Sequence, residues 1–208
     1  MLDARFSHVE STISTLTTRR LPHIYPEGRW IFITWNLYSS FPPSRYPPAC
    51  KLSAGEAFVW MDRYLDQART GPVFLRQERI AQMIVGSLFR GVELGHYGLG
   101  PFVIMPNHVH VLLLPRTSVS RLLKSLKGYT AREANRLLER TGEPFWQRES
   151  YDHWVRNDQE FCKIAQYIEN NPVKAGLVPS AEEFLWSSAN LRWRERINCV
   201  HTSVNAAR

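Results

Sequence analysis

The chain has 208 residues, of which 44% are hydrophobic and 22% charged, proportions of an ordinary globular protein with one full core. This excludes a wholly disordered chain, a collagen-like repeat and a bundle of membrane helices. Lys and Arg exceed Asp and Glu by 26 − 19 = 7, and the pI is near 9.6, so a polyanionic partner is plausible, although many proteins this basic touch no nucleic acid. Cys50, Cys162 and Cys199 have no paired spacing, which argues against a disulfide scaffold or a cysteine zinc site and for a reducing cytosol. The first twenty residues lack the apolar stretch of a signal peptide, and no run approaches the length of a spanning helix. A soluble cytoplasmic protein is expected.

Residues 1–28, rich in Ser and Thr, read as a loosely held N-terminal arm. Trp30 to Leu37 (WIFITWNL) alternates aromatic and β-branched residues, which is strand chemistry. Four prolines between Phe41 and Cys50 then force a loop. From Ser53 to about Glu93 the pattern is helical, broken at Thr70-Gly71-Pro72, with Ala57, Phe58, Met61, Tyr64 and Leu65 on one apolar face and Ile80, Ile84, Leu88 and Val92 on another. Phe102–Met105 and Val109–Leu114 predict an antiparallel hairpin around Pro106-Asn107-His108. Ser118 to Arg140 is a long helix with Leu122, Leu123, Leu126, Leu137 and Leu138 inward, weakened at Gly128, and Phe145–Val155 suits an edge strand with a turn. A last helix starts with Asn157 as cap and Glu160 three residues on, and its expected stop is near Asn171, because proline disfavours helical geometry in the residue before it. The order matches an α+β, ferredoxin-like β-α-β-β-α-β core with inserted helices after the first strand and an added C-terminal helix. One domain over 29–194 and a tail over 195–208 are expected.

Three features carry chemistry. His108 and His110, two apart on a strand, point to one face and can converge on a single cation, although an isolated pair of this kind is more often just two strand histidines. Tyr167 and Asn171, four apart on a helix, share a face. A tyrosine can act as nucleophile and an amide oxygen as a hard metal ligand, but a core tyrosine with a helix-ending asparagine has the same spacing. Tyr129 and Tyr151 are rival nucleophiles that spacing does not eliminate. Residues 116–148 hold eight basic and three acidic residues, a surplus of 8 − 3 = 5, with Arg132, Arg136 and Arg140 as a stripe. Trp146, Tyr151 and Trp154 just beyond suit either stacking on unpaired bases or the core.

LPHIYPEGRWIFITWNL, VIMPNHVHVLLLP, LLKSLKGYTAREANRLL, FWQRESYDHWVRNDQEF and YIENNPVKAGLV follow in that order. Together these segments resemble the REP-associated tyrosine transposases, relatives of insertion-sequence transposases that use one catalytic tyrosine. The resemblance runs from about Leu21 to Val178, roughly three quarters of the chain. It implies a ferredoxin-like fold and cleavage and rejoining of single-stranded DNA at hairpin-forming repetitive extragenic palindromes. By position, His108 and His110 match the metal-binding pair, Tyr167 the nucleophile that forms a 5′-phosphotyrosine, and Asn171 the amide that completes the metal site. The implied ion is Mg²⁺ or Mn²⁺, and the implied protein is a monomer or homodimer associated with the nucleoid. Arg121, Lys124, Lys127, Arg132, Arg136 and Arg148 are the expected phosphate contacts, and Arg19 and Arg20 of the arm would hold the foot of a hairpin. A mobile insertion-sequence transposase of the same chemistry, and a catalytically silent single-stranded nucleic-acid-binding module, are the alternatives.

Overall fold

Every residue of the strand Ile31–Asn36 (β1) is buried, and its side chains are shared between two faces. Ile31, Ile33 and Trp35 enter one apolar cluster and Phe32 the other, as period-two alternation requires of a strand covered on both sides. The computed structural model describes residues 28–41, 54–67 and 71–197. The arm with Arg19 and Arg20, most of the proline-rich loop and the tail past residue 197 lie outside the described residues.

Helix Ala54–Gln67 (α1) follows, then a 3₁₀ turn at Phe74–Arg76 and helix Glu78–Glu93 (α2). Strands Tyr97–Ile104 (β2) and His108–Pro115 (β3) form the expected hairpin, closed by the Met105 N–H on the His108 carbonyl at 2.9 Å. Helix Val119–Leu137 (α3), strand Tyr151–Trp154 (β4) and helix Asp158–Lys174 (α4) complete the core. Among the described residues the four strands make one antiparallel sheet in the order β2-β3-β1-β4. This is the ferredoxin-like arrangement, with β1 and β3 at the centre.

The two faces are covered differently. Ile80, Ile84, Leu88 and Phe89 of α2 and Leu122, Leu123 and Leu126 of α3 pack with Ile31, Ile33, Val109, Val111 and Leu113 on one face. Burying each such aliphatic side chain contributes roughly 1.5–3 kcal/mol. On the other face lie Phe58 of α1 and Phe161, Ile164, Tyr167 and Ile168 of α4, against Phe32, Val103 and Leu112. Gly91 lets α2 close on the sheet: a Cβ there would stand 2.2 Å from the Tyr97 hydroxyl, which donates to the Leu88 carbonyl. Residues 191–197 are helical, and Trp193 stacks on Phe89 at 5.9 Å while Ile197 is buried in the same core. The free edge of β2 is covered by the chain just before, where Ile104 donates to Trp186 and Ser188 to Phe102.

Two elements depart from expectation. β2 starts five residues earlier than predicted, at Tyr97, because a register shift between Leu99 and Phe102 absorbs Gly100 and Pro101, which disguise it as a loop in the sequence. α4 does not stop at Asn171 but runs through Pro172 to Lys174. Proline forfeits one backbone bond, and the helix ends a turn later on Gly176, at φ +68°, where Gly176 donates to Val173 and Leu177 to Pro172. That extra turn holds Asn171 inside the helix. At the other end Asn157 caps Glu160 as predicted, but the Glu160 carboxylate returns to the Arg156 N–H at 2.7 Å, one residue outside the cap.

Candidate active site

The site is built on the α1/α4 face of the sheet. His108 and His110 are both fully buried on β3, and their Nε2 atoms lie 3.0 Å apart. Cross-strand pairing sets Thr34 of β1 opposite His110, and its hydroxyl lies 2.7 Å from His110 Nδ1. His108 Nδ1 lies 2.6 Å from Asn107 Oδ1. A carboxamide oxygen only accepts, so His108 Nδ1 carries the proton and Nε2 presents its lone pair inward, the tautomer a metal ligand needs. Burial and then the neighbouring His110 charge push the His108 pKa down to about 3, so it is neutral at physiological pH.

From α4, one turn apart, come Tyr167 and Asn171. The ring of Tyr167 lies 5.6 Å from that of His110, and the Lys174 ammonium sits 4.5 Å over its face. Asn171 is fully buried with its amide nitrogen 3.3 Å from His110 Nε2 and its oxygen without a hydrogen-bond partner. Turning the amide over exchanges the two atoms and brings the oxygen to the histidines. The four residues singled out in the sequence therefore meet at one place.

A fifth group was not foreseen. Asp62 of α1 is 4% exposed, with Oδ1 3.1 Å from His110 Nε2 and 3.8 Å from His108 Nε2, while Oδ2 accepts the Tyr167 hydroxyl proton. Burial pushes its pKa up, but the charges of His110, His108 and Lys174 and the His110 hydrogen bond outweigh that and hold it below the usual carboxylate range. Asp66, one turn on, lies 3.6 Å from His108 Nε2, and burial followed by the Asp62 charge pushes its pKa up to about 7. A signal was available: Phe58, Asp62, Leu65 and Asp66 recur at the spacing of one helix face, which places two carboxylates on an apolar stripe.

This donor set suits a divalent cation. Ligand atoms of Asp62, His108 and His110 lie within 4.8 Å of one another, and the oxygens Asp66 Oδ1 and Asn171 Oδ1 are buried with no hydrogen-bond partner. The 3.0 Å between the imidazole nitrogens is the spacing of neighbouring ligands around an octahedral ion at about 2.1 Å. Mixed imidazole and oxygen donors suit a divalent cation without selecting one.

Most of the other candidates lie elsewhere. Tyr151 faces the site from β4 but stacks on Phe58 at 4.2 Å, and burial, then Asp152 and Glu160, raise its pKa. Tyr129 is 47% exposed on α3, whose packing face is on the opposite side of the sheet. Arg121, Lys124 and Arg132 are exposed on α3, Arg136 pairs with Glu133 at 3.1 Å, and Lys127 is anchored on the carbonyls of Gln147 and Arg148. Lys124, Lys127 and Arg148 line a cavity of about 310 Å³ with Ser120, Leu123, Ser150 and Asp152, between α3 and the edge strand β4. Trp146 is core, its indole donating to Thr130 at 2.9 Å, whereas Trp154 is 40% exposed.

Comparisons with known proteins bear on the family and the fold. Residues 56–171 match the family described as IS200-like transposases. Two proteins of Haemophilus influenzae are each 28% identical to the chain. One, named only as an uncharacterized protein, aligns over 94 residues, 35% of this chain and 52% of its own length. The other, whose name places it provisionally among REP-associated tyrosine transposases, aligns over 98 residues, 41% of this chain and 54% of its own. The chain thus spans about half the length of the curated relatives it matches. A solved structure of a REP-associated tyrosine transposase bound to a REP hairpin shares the fold, with a TM-score of 0.54 at 18% identity over 82% of both chains. The family match covers more than half of the sequence and includes the histidine pair, Tyr167 and Asn171: the chain belongs to the IS200-like transposase family.

Proposed function

We propose that this protein cleaves and rejoins single-stranded DNA at hairpin-forming repetitive extragenic palindromes, through a covalent 5′-phosphotyrosine on Tyr167, with Mg²⁺ or Mn²⁺ held by His108, His110 and Asn171. The observation that carries this reading is the meeting of a tyrosine hydroxyl, two imidazole nitrogens and an orphaned amide oxygen on one face of the sheet. When bound, the divalent ion polarises a phosphate oxygen and stabilises the leaving 3′ oxygen.

The chain's own groups do the rest. Tyr167 Oη attacks phosphorus and its bond to the 3′ oxygen breaks, leaving a phosphotyrosine and a free 3′-OH; a second 3′-OH reverses the step and joins a new strand without ATP. A phenol is a weak nucleophile at neutral pH, and the Lys174 ammonium lies 4.5 Å over the Tyr167 ring. Thr34 and Asn107 orient the two imidazoles. Basic residues around α3 and the β4 edge neutralise phosphates, Arg121, Lys124, Arg132 and Arg148 foremost, with Lys127 and Arg136 reduced to supporting parts by their existing partners. Arg19 and Arg20 keep the role proposed for the arm. Among the described residues no helix is long and apolar enough to cross a membrane, and we place the protein in the cytoplasm on the nucleoid.

The test is a denaturing gel of the protein with a 5′-flanked single-stranded hairpin and Mg²⁺ or Mn²⁺. A covalent protein–DNA species is expected, absent from Tyr167→Phe and His108→Ala. An adduct that survives Tyr167→Phe assigns the nucleophile to Tyr151 or Tyr129 and overturns the assignment. Metal-independent binding with no adduct on any repeat supports the silent module instead.

A further inference from the structure

Asp62 comes from α1, the helix that stands between β1 and α2 and adds to the minimal core. Its carboxylate touches two things that a scissile phosphate must also touch. Oδ1 lies beside the imidazole pair, 3.1 Å from His110 Nε2, and Oδ2 holds the Tyr167 hydroxyl. A phosphodiester in position for attack needs one oxygen at the metal ligands and its phosphorus beside Tyr167 Oη. Two anions cannot fill that space together.

α1 is fastened to the sheet through this same cluster. Asn107 donates to the Leu65 carbonyl with its nitrogen and accepts from His108 with its oxygen, so one side chain ties the helix to the ligand it orients. Phe58 packs on Phe32 and Tyr151 beside it. With α1 docked, His108, His110 and Asn171 have no exposed surface, and DNA reaches them only when the helix shifts.

Resting on the metal-site reading above, we infer that Asp62 is a fourth protein ligand of the resting metal centre and a stand-in for the scissile phosphate, displaced together with α1 when single-stranded DNA enters. Ligand exchange of this kind makes DNA and the Asp62 carboxylate competitors for one place. The metal is kept bound between reactions while the nucleophile is held covered.

Both halves are measured on the full chain. In the first, Mn²⁺ is titrated into metal-stripped protein without DNA and free Mn²⁺ is read by electron paramagnetic resonance. Asp62→Asn, which keeps the shape and removes the charge, should weaken binding at least about 10-fold, the loss that even an outer partner of a ligand typically causes. In the second, binding of a flanked hairpin is measured at saturating Mn²⁺ in a Tyr167→Phe background that stops chemistry. Asp62→Asn and Asp62→Ala should bind it about 5-fold tighter or more, the size of a typical coupling between competing ligands. Circular dichroism melts confirm that each variant is folded.

Unchanged Mn²⁺ affinity in Asp62→Asn, with binding lost in His108→Ala, overturns the Asp62 assignment and leaves the histidine site standing. Weaker DNA binding in both Asp62 variants overturns the stand-in role. Mn²⁺ binding that His108→Ala does not disturb removes the metal site itself, and this inference with it.

Discussion

The two faces of the sheet are made by the same strands and do opposite work. On β3, Val109, Val111 and Leu113 point toward α2 and α3, while His108, His110 and Leu112 point toward α1 and α4. The first face is almost entirely aliphatic and aromatic, and its tight places, such as Gly91 against Tyr97, are places of packing. The second gathers two imidazoles, two carboxylates and an amide, all but Asp66 buried, a set that costs stability unless a cation or a proton bridges it. A rigid apolar face thus holds the strands in register while the opposite face carries polar groups that would not assemble alone. Period-two alternation lets one strand serve both without compromise.

If this division holds, substitutions on the two faces should fail in different ways. The largest effect is expected of Tyr167→Phe, which removes the covalent adduct completely while the chain stays folded, as read by a gel and a melt in parallel. Phe89→Ala, on the aliphatic face, should lower unfolding free energy by about 3–5 kcal/mol in urea. Adduct formation per folded molecule should be unchanged by it, and a fall of tenfold or more would show that the faces are coupled. Gly91→Ala forces a Cβ against Tyr97 and should cost about 1–3 kcal/mol in the same titration, again without changing the chemistry.

Smaller effects sharpen the picture at the β4 edge. Lys124→Ala and Arg148→Ala should each flatten the slope of log affinity against log salt by about 0.7 for a single strand. A slope that does not move would take the cavity between α3 and β4 out of the DNA path. The smallest effect concerns Glu160, which ties the start of α4 to Arg156 and, at 3.0 Å, to His153 of β4. Its burial raises its pKa, but the Arg156 N–H, the His153 hydrogen bond and the nearby charges of His153 and Arg156 bring it below its ordinary 4.5. The folded value lies below the unfolded one, so the contribution is complete above about pH 4.5 and is lost as pH falls through the folded value. Glu160→Gln should therefore differ from the parent by roughly 0.5–1.5 kcal/mol at pH 7 and less at pH 3.5. An equal difference at both values would exclude the carboxylate as its source.

Much of the molecule is legible in its sequence. The hairpin around Pro106-Asn107, the inward faces of α2 and α3, the Asn157 cap, and the pairs His108/His110 and Tyr167/Asn171 all follow from spacing, because strand and helix periods decide which neighbours along the chain share a face. Three matters were decided only in three dimensions. Pro172 remains inside α4 because a Gly176 cap and burial on the sheet outweigh the one lost backbone bond, a balance no local rule records. Trp146 goes to the core because Thr130, sixteen residues away, offers its indole a partner. Asp62 joins the histidines from a helix 46 residues before His108, and the resemblance that identifies the other four site residues has no place for it. Spacing assigns a residue to a face of its own element; which other elements that face meets is set by packing, and packing brought the carboxylate to the site.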